Sequence, residues 1–132
     1  MIKNFGYPRQ LRLLKPEDFR YVFENTRYKV YCTGFLLLAA PSKSEETRLG
    51  FVIGKKNIKL AVTRNRFKRM FRESFRLNQQ QLPPVDIIVL AIKGASQVTT
   101  EELSKSLTEA WPQLGRRVKK ATANLSSSIK RQ

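Results

Sequence analysis

The sequence predicts a single-domain α/β sandwich, with helices packed on a sheet in the order helix, two or three strands, helix, strand, helix. Three observations carry this expectation. A chain of 132 residues that is 41% hydrophobic is long enough to bury a real core and fits one domain of ordinary size. Short apolar runs bounded by turn residues alternate with segments whose apolar positions recur at helical spacing. The most strongly patterned of those segments runs from about Leu60 to Leu77, where Phe67, Met70, Phe71, Ser74 and Phe75 fall at i, i+3, i+4, i+7 and i+8. At roughly 100° of rotation per residue these make one stripe that must be buried.

Residues 1–14 read as a basic, irregular lead-in carrying Arg9 and Arg12. Lys15-Pro16-Glu17-Asp18 then starts a helix, since proline suits the first helical position and acids complement the macrodipole there. Phe19, Val22 and Phe23 give this helix its apolar face. Tyr28 to Ala40 reads as strand, with Gly34 as a bulge or bend, and residues 41–47 as a polar connection. Leu49, Phe51 and Ile53 alternate with Gly50 and Val52 in a second strand over Arg48 to Gly54. The Leu60–Leu77 helix follows. Leu82-Pro83-Pro84 breaks the chain, because a residue before proline avoids the helical region. Val85 to Ala91 is almost continuously apolar and β-branched, as a central strand is. Thr99 or Thr100 can cap a last helix that opens with Glu101 and Glu102 and buries Leu103, Leu107, Ala110 and Trp111. Pro112 is expected to kink or end it, at about 3 kcal/mol for an interior proline. From Arg116 the basic, Ser-rich remainder reads as a flexible tail, giving a domain over 15–115 and a tail over 116–132.

Charge points to function. The formal net charge is +16, far beyond what solubility requires, and predicts salt-sensitive association with a polyanion. Between Lys55 and Arg76 the chain carries Lys55, Lys56, Lys59, Arg64, Arg66, Lys68, Arg69, Arg72 and Arg76 against one acid, Glu73. On the helix, Asn65, Lys68, Arg69, Arg72 and Arg76 gather opposite the apolar stripe, with Arg66 at the edge. One face docks on a core and the other meets something very negative, which is best read as nucleic acid. Arginine's planar fork suits phosphates and can stack on bases.

Other classes are disfavoured. No apolar run approaches the roughly 20 residues of a spanning helix. The first residues lack a signal-peptide core, so a cytoplasmic location is expected, with no membrane association. There is no histidine, and the lone Cys32 can form neither an internal disulfide nor a cysteine-based zinc site. The ten acids form no paired-carboxylate pattern. Glu17, Asp18, Glu101 and Glu102 suit first turns, Glu45 and Glu46 a polar loop, and Glu73 is placed to pair with Arg69. No residue is therefore assigned a catalytic or metal-binding role.

Arg64-Asn65-Arg66 followed by Lys68-Arg69, and preceded by Gly50 and by Gly54-Lys55-Lys56, resembles the protein subunit of bacterial ribonuclease P. So do the Glu17-Asp18-Phe19-Arg20 helix with Val22 and Phe23, and the Asp86-Ile87-Ile88-Val89 strand. The likeness covers roughly Leu11 to Trp111. It implies an α+β sandwich in the order α-β-β-β-α-β-α, of the ribosomal protein S5 domain 2-like class, with a left-handed βαβ crossover. It implies a chain that assists a catalytic RNA in removing the 5′ leader from precursor tRNA, with magnesium held mainly by the RNA and no protein partner required. Lys55, Lys56, Arg64, Asn65, Arg66, Lys68, Arg69, Arg72 and Arg76 would contact RNA, and Phe19 and Phe23 would line a cleft for the leader. Two departures limit the carry-over. The family's frequent Gly-Asn-Ala-Val approach is here Asn57-Ile58-Lys59-Leu60-Ala61-Val62, and an aromatic that some members carry in the first long strand falls near Leu37 or Leu38. The alternative is a structural RNA-binding protein of ribosomal type with no part in catalysis.

Overall fold

In the computed structural model, which describes residues 12–13, 15–42 and 46–131 and side chains of the last helix as far as Ala121, two helices cover one face of a four-stranded sheet and one helix covers part of the other. The elements run α1 (Pro16–Asn25), β1 (Tyr28–Cys32), β2 (Phe35–Pro41), β3 (Arg48–Val52), α2 (Ala61–Asn78), β4 (Val85–Ala91) and α3 (Thr100–Arg131). The sheet order is β1-β2-β4-β3. β1 and β2 pair antiparallel, as do β2 and β4, while β3 and β4 are parallel and joined through α2.

The expected strand from Tyr28 to Ala40 is two strands. Gly34, with φ of 80°, lets the chain reverse so that Cys32 faces Phe35. A side chain there would also collide with Val98, its Cβ lying 2.5 Å from Cγ2.

Alternation along β2 and β4 sends Phe35, Leu37, Ala39, Ile87 and Val89 into a large cluster under α2 and α3. Phe67, Phe71 and Phe75 of α2 are buried there, with the Phe35 ring edge-on to Phe67 at 5.3 Å and to Phe71 at 5.0 Å. Ser74, also on the expected stripe, accepts a hydrogen bond from Trp111 Nε1. On the opposite face Leu38, Ala40 and Ile88 pack with Val22 of α1 and with Leu13. Leu13 N donates to Leu49 O, so the end of the lead-in lies along the β3 edge. The rest of that lead-in, apart from Arg12, and residues 43–45 lie outside the described residues.

The helix α3 starts as a capping box: Thr99 Oγ1 accepts from Glu102 N, and Glu102 Oε1 accepts from Thr99 N. It does not end at Pro112. Leu114 and Val118 are buried on the sheet beyond the proline, and the helix runs on to Arg131. Burying two such side chains contributes about 3–6 kcal/mol, enough to offset the roughly 3 kcal/mol that an interior proline costs. Arg116 to Ala121 is thus helix, not tail. Along the β1 edge, Ser106 Oγ accepts from Thr33 N and Arg117 Nη1 donates to Lys29 O, so α3 satisfies edge groups that another strand would otherwise find.

One polar group is buried at depth. Asp86 is fully buried in β4 and accepts two hydrogen bonds from Arg48, from Nε at 3.0 Å and from Nη2 at 2.8 Å. Asp18 of α1 lies 3.6 Å from the same guanidinium. Hydrogen bonding to Asp86 holds Arg48 above its ordinary pKa. Cys32 is buried against Ser106, and burial raises its thiol pKa, which suits packing and not nucleophilic chemistry.

Candidate nucleic-acid interface

Burial of Phe67, Phe71 and Phe75 turns the rest of α2 outward and sorts its cations into two rows. Arg64, Lys68 and Arg72, spaced i, i+4 and i+8, run along the flank beside the β3 edge. Lys68 and Arg72 there border a small cleft with Phe19, Gly50, Phe51, Arg12 and Leu13. Arg72 stands 5.3 Å from the centre of the Phe51 ring, a cation–π contact. Arg66 and Arg69 take the flank facing α3, both exposed, and have no ion-pair partner among the described residues. Asn65 is exposed between the rows.

Two cations differ from expectation. Arg76 is paired with Glu73 at 2.6 Å, so the acid expected to hold Arg69 leaves that guanidinium open. Arg64 Nη1 donates to Ile58 O and Lys59 O, both at 2.8 Å, which ties the incoming loop to the first turn of α2. Asn57 holds the other end of that loop by donating to Ala91 O at 3.0 Å. Lys55 and Lys56 of the loop are exposed. Lys93, which sequence reasoning passed over, is exposed two residues beyond the Ala91 carbonyl that Asn57 holds. The start of α2 has Leu60 as N-cap with no side-chain cap, so first-turn amides add to the positive end of the helix on this side.

Arg64→Ala is therefore expected to lower stability by about 1–2 kcal/mol as well as weakening RNA binding, whereas Arg66→Ala leaves stability unchanged. Denaturant unfolding of the free protein separates the two.

The second part of the surface is on the α1 face of the sheet. Asp18 and Tyr21 turn toward the near end of the strands, where Tyr21 Oη donates to Pro41 O at 2.7 Å. Phe19 and Phe23, one helical turn apart, consequently share the other flank of α1, and Phe19 packs against the same cluster as Leu36 and Leu90. They do different things. Phe19 is half-buried over Gly50; a Cβ at that glycine would come within 2.9 Å of the ring. Phe23 is 47% exposed. Next to them a row of side chains crosses the sheet one pleat beyond Leu38 and Ile88. Val52 is level with Leu90, Leu90 with Leu36, and Leu36 with Tyr31. Leu36 and Leu90 are half-buried, Val52 is 38% exposed and Tyr31 75% exposed. The floor of the groove is thus aliphatic at its centre. Leu37 and Leu38, where an aromatic wall was considered, are both buried, Leu37 under the other pair of helices.

No group of three or more potential metal-ligating side chains occurs among the described residues. The acids that come closest are already engaged, Asp86 by Arg48, Glu73 by Arg76 and Glu102 by the Thr99 amide. These residues do not suit a magnesium ion held by protein alone. What the surface can do is neutralise phosphates along α2 and receive unstacked bases in the groove.

Residues 7–115 match the model of the family described as Ribonuclease P. The protein called "Ribonuclease P protein component" in Chromohalobacter salexigens is 45% identical over 115 residues, covering 87% of this chain and 90% of that one. Its namesake in Azotobacter vinelandii is 46% identical over 114 residues, covering 86% of each. Among solved structures, the ribonuclease P protein of Staphylococcus aureus matches with a TM-score of 0.68 at 31% identity, over 76% of this chain and 91% of that one. The ribonuclease P protein from Thermotoga maritima matches with a TM-score of 0.66 at 28% identity, over 77% and 96%.

Proposed function

The chain belongs to the ribonuclease P protein family, and from that premise we propose how its two surfaces divide the work of the protein subunit. Ribonuclease P is an endoribonuclease complex of tRNA processing, and this chain is its protein component. In our reading the outward face of α2 docks on the catalytic RNA, through Arg66, Arg69, Lys68, Arg72 and Asn65, with Lys55 and Lys56 of the preceding loop. The groove between α1 and the open half of the sheet takes the single-stranded 5′ leader of precursor tRNA. Hydrolysis and the magnesium it uses belong to the RNA, since this chain has no histidine and its described residues gather no metal-ligating cluster. The protein contributes charge neutralisation and a grip on the substrate outside the tRNA body.

The observation that carries this reading is the exposure of Phe23 beside an apolar cross-strand row. A soluble protein leaves such a strip open on a sheet when something is meant to lie on it. The ribosomal-type alternative accounts for the basic helix but not for that strip. Adding the protein to a bacterial ribonuclease P RNA at low magnesium should restore cleavage of precursor tRNA, and no restoration would return the chain to the ribosomal alternative.

Phe23→Leu tests the groove within that complex. It should spare folding and RNA assembly and weaken binding of precursor tRNA by about 1–3 kcal/mol, the worth of a base–aromatic stack, while mature tRNA binds as before. Phe19→Leu is a less clean probe, because its ring also fills the space over Gly50. Equal loss for precursor and mature tRNA in Phe23→Leu would place that side chain in the core and not in the groove.

A further inference from the structure

We propose that Tyr31, on the edge strand β1, is a stacking platform for a base of the leader, at the end of the groove farthest from α2. The inference rests on the groove reading and extends it by naming a residue and a register along the substrate.

Tyr31 is the most exposed of the large hydrophobic side chains among the described residues, at 75%. A tyrosine so placed does little for the fold: the core of β1 is made by Val30 and Cys32, which point to the other face. Its own face is the one that α1 only partly covers. Pairing of Tyr31 with Leu36, of Leu36 with Leu90 and of Leu90 with Val52 makes it the last member of a continuous row. Three interstrand intervals separate the ends of that row, roughly 14 Å. Across a sheet of this width single-stranded RNA lays about two or three bases, and the one over β1 meets an aromatic ring. Lys29, two residues earlier and therefore on the same face, is exposed and brings an ammonium to the phosphate of a base lying on the Tyr31 ring. Arg117 fixes this end of the strand through the Lys29 carbonyl. The chain thus places its aromatic wall on β1, level with the aliphatic Leu36, and not on β2.

A position at the far end predicts a dependence on leader length that no contact near α2 would show. The test uses the complex assembled with ribonuclease P RNA and precursor tRNAs whose leaders lengthen one nucleotide at a time from none to about eight. For the parent protein, affinity should rise with length up to a plateau. Tyr31→Ala should follow the same curve for the shortest leaders and then fall below it by roughly fivefold to a hundredfold once the leader spans the sheet. Tyr31→Phe, which keeps the ring, should restore the parent curve. Leaders too short to reach should bind alike in all three.

An unchanged curve in Tyr31→Ala, with Phe23→Leu still selective for precursor tRNA, overturns the assignment of Tyr31 and leaves the groove intact. A uniform loss at every length, mature tRNA included, also overturns it by making Tyr31 a contact for the catalytic RNA or for the fold. Should the parent protein add nothing to affinity as the leader grows, the groove reading fails first and Tyr31 with it.

Discussion

Replacing Arg66 and Arg69 together by alanine is expected to lower affinity for ribonuclease P RNA by about a hundredfold to twenty-thousandfold. Both guanidiniums are exposed on the α3-facing flank of α2, with no ion-pair partner among the described residues. A hydrogen bond to a charged group contributes about 1.5–3 kcal/mol, and each 1.4 kcal/mol is tenfold in affinity. The slope of log affinity against log salt should become shallower by roughly one to two, as two phosphate contacts are lost. Thermal unfolding should not move, because neither side chain touches the core. This pair is a better probe than Arg64, whose hydrogen bonds to Ile58 O and Lys59 O mix loop stability with RNA contact. RNA affinity within twofold of the parent, in a correctly folded double variant, would remove this face of α2 from the interface.

The largest effect on stability is expected from Asp86→Asn. The amide can accept from only one of the two Arg48 nitrogens and leaves a positive charge against a buried neutral group. Breaking a buried pair on one side costs about 3–5 kcal/mol. Arg48 keeps 18% exposure of its side chain and has Asp18 at 3.6 Å, so the lower end of that range applies. Denaturant unfolding should show the loss. Replacing both members together, Asp86→Leu with Arg48→Met, should recover part of it, since a buried pair exchanged for apolar residues of similar volume is often neutral. Turnover is a separate matter. Below the melting transition, with protein saturating the RNA, Asp86→Asn should cleave precursor tRNA at the parent rate. A dead but assembled complex would give this carboxylate a part in the chemistry and contradict the assignment of hydrolysis to the RNA.

Protein without RNA should show no specific cleavage of precursor tRNA in magnesium, since the chain has no histidine and no group of three or more potential metal-ligating side chains occurs among the described residues. A specific 5′ cut by highly purified protein would overturn that reading.

The sequence by itself determined the order of the elements apart from the reversal at Gly34, the two faces of α2 and a threonine cap for α3 at Thr99 or Thr100, a choice that the structure made by closing a capping box on Thr99. Each of these is written in spacing over a few residues: aromatic rings at i, i+4 and i+8, a threonine ahead of two glutamates, a proline ahead of two acids. Such signals act within a helical turn and survive whatever the rest of the chain does. Tertiary structure decided everything that depended on a distant neighbour. Arg48 and Asp86 meet from positions 38 residues apart, and no local pattern links them. Pro112 reads as a stop, yet Leu114 and Val118 find a sheet to cover and the helix continues. Glu73 had two cations within reach, and it pairs with Arg76 and not with Arg69. Phe19 and Phe23 are equivalent on a helical wheel, but only one of them has Gly50 beneath it. Alternation in β1 says that Tyr31 and Lys29 share a face. That this face is left open could come only from how far α1 reaches across the sheet, and that reach is set by Val22 packing on Leu38, Ala40 and Ile88.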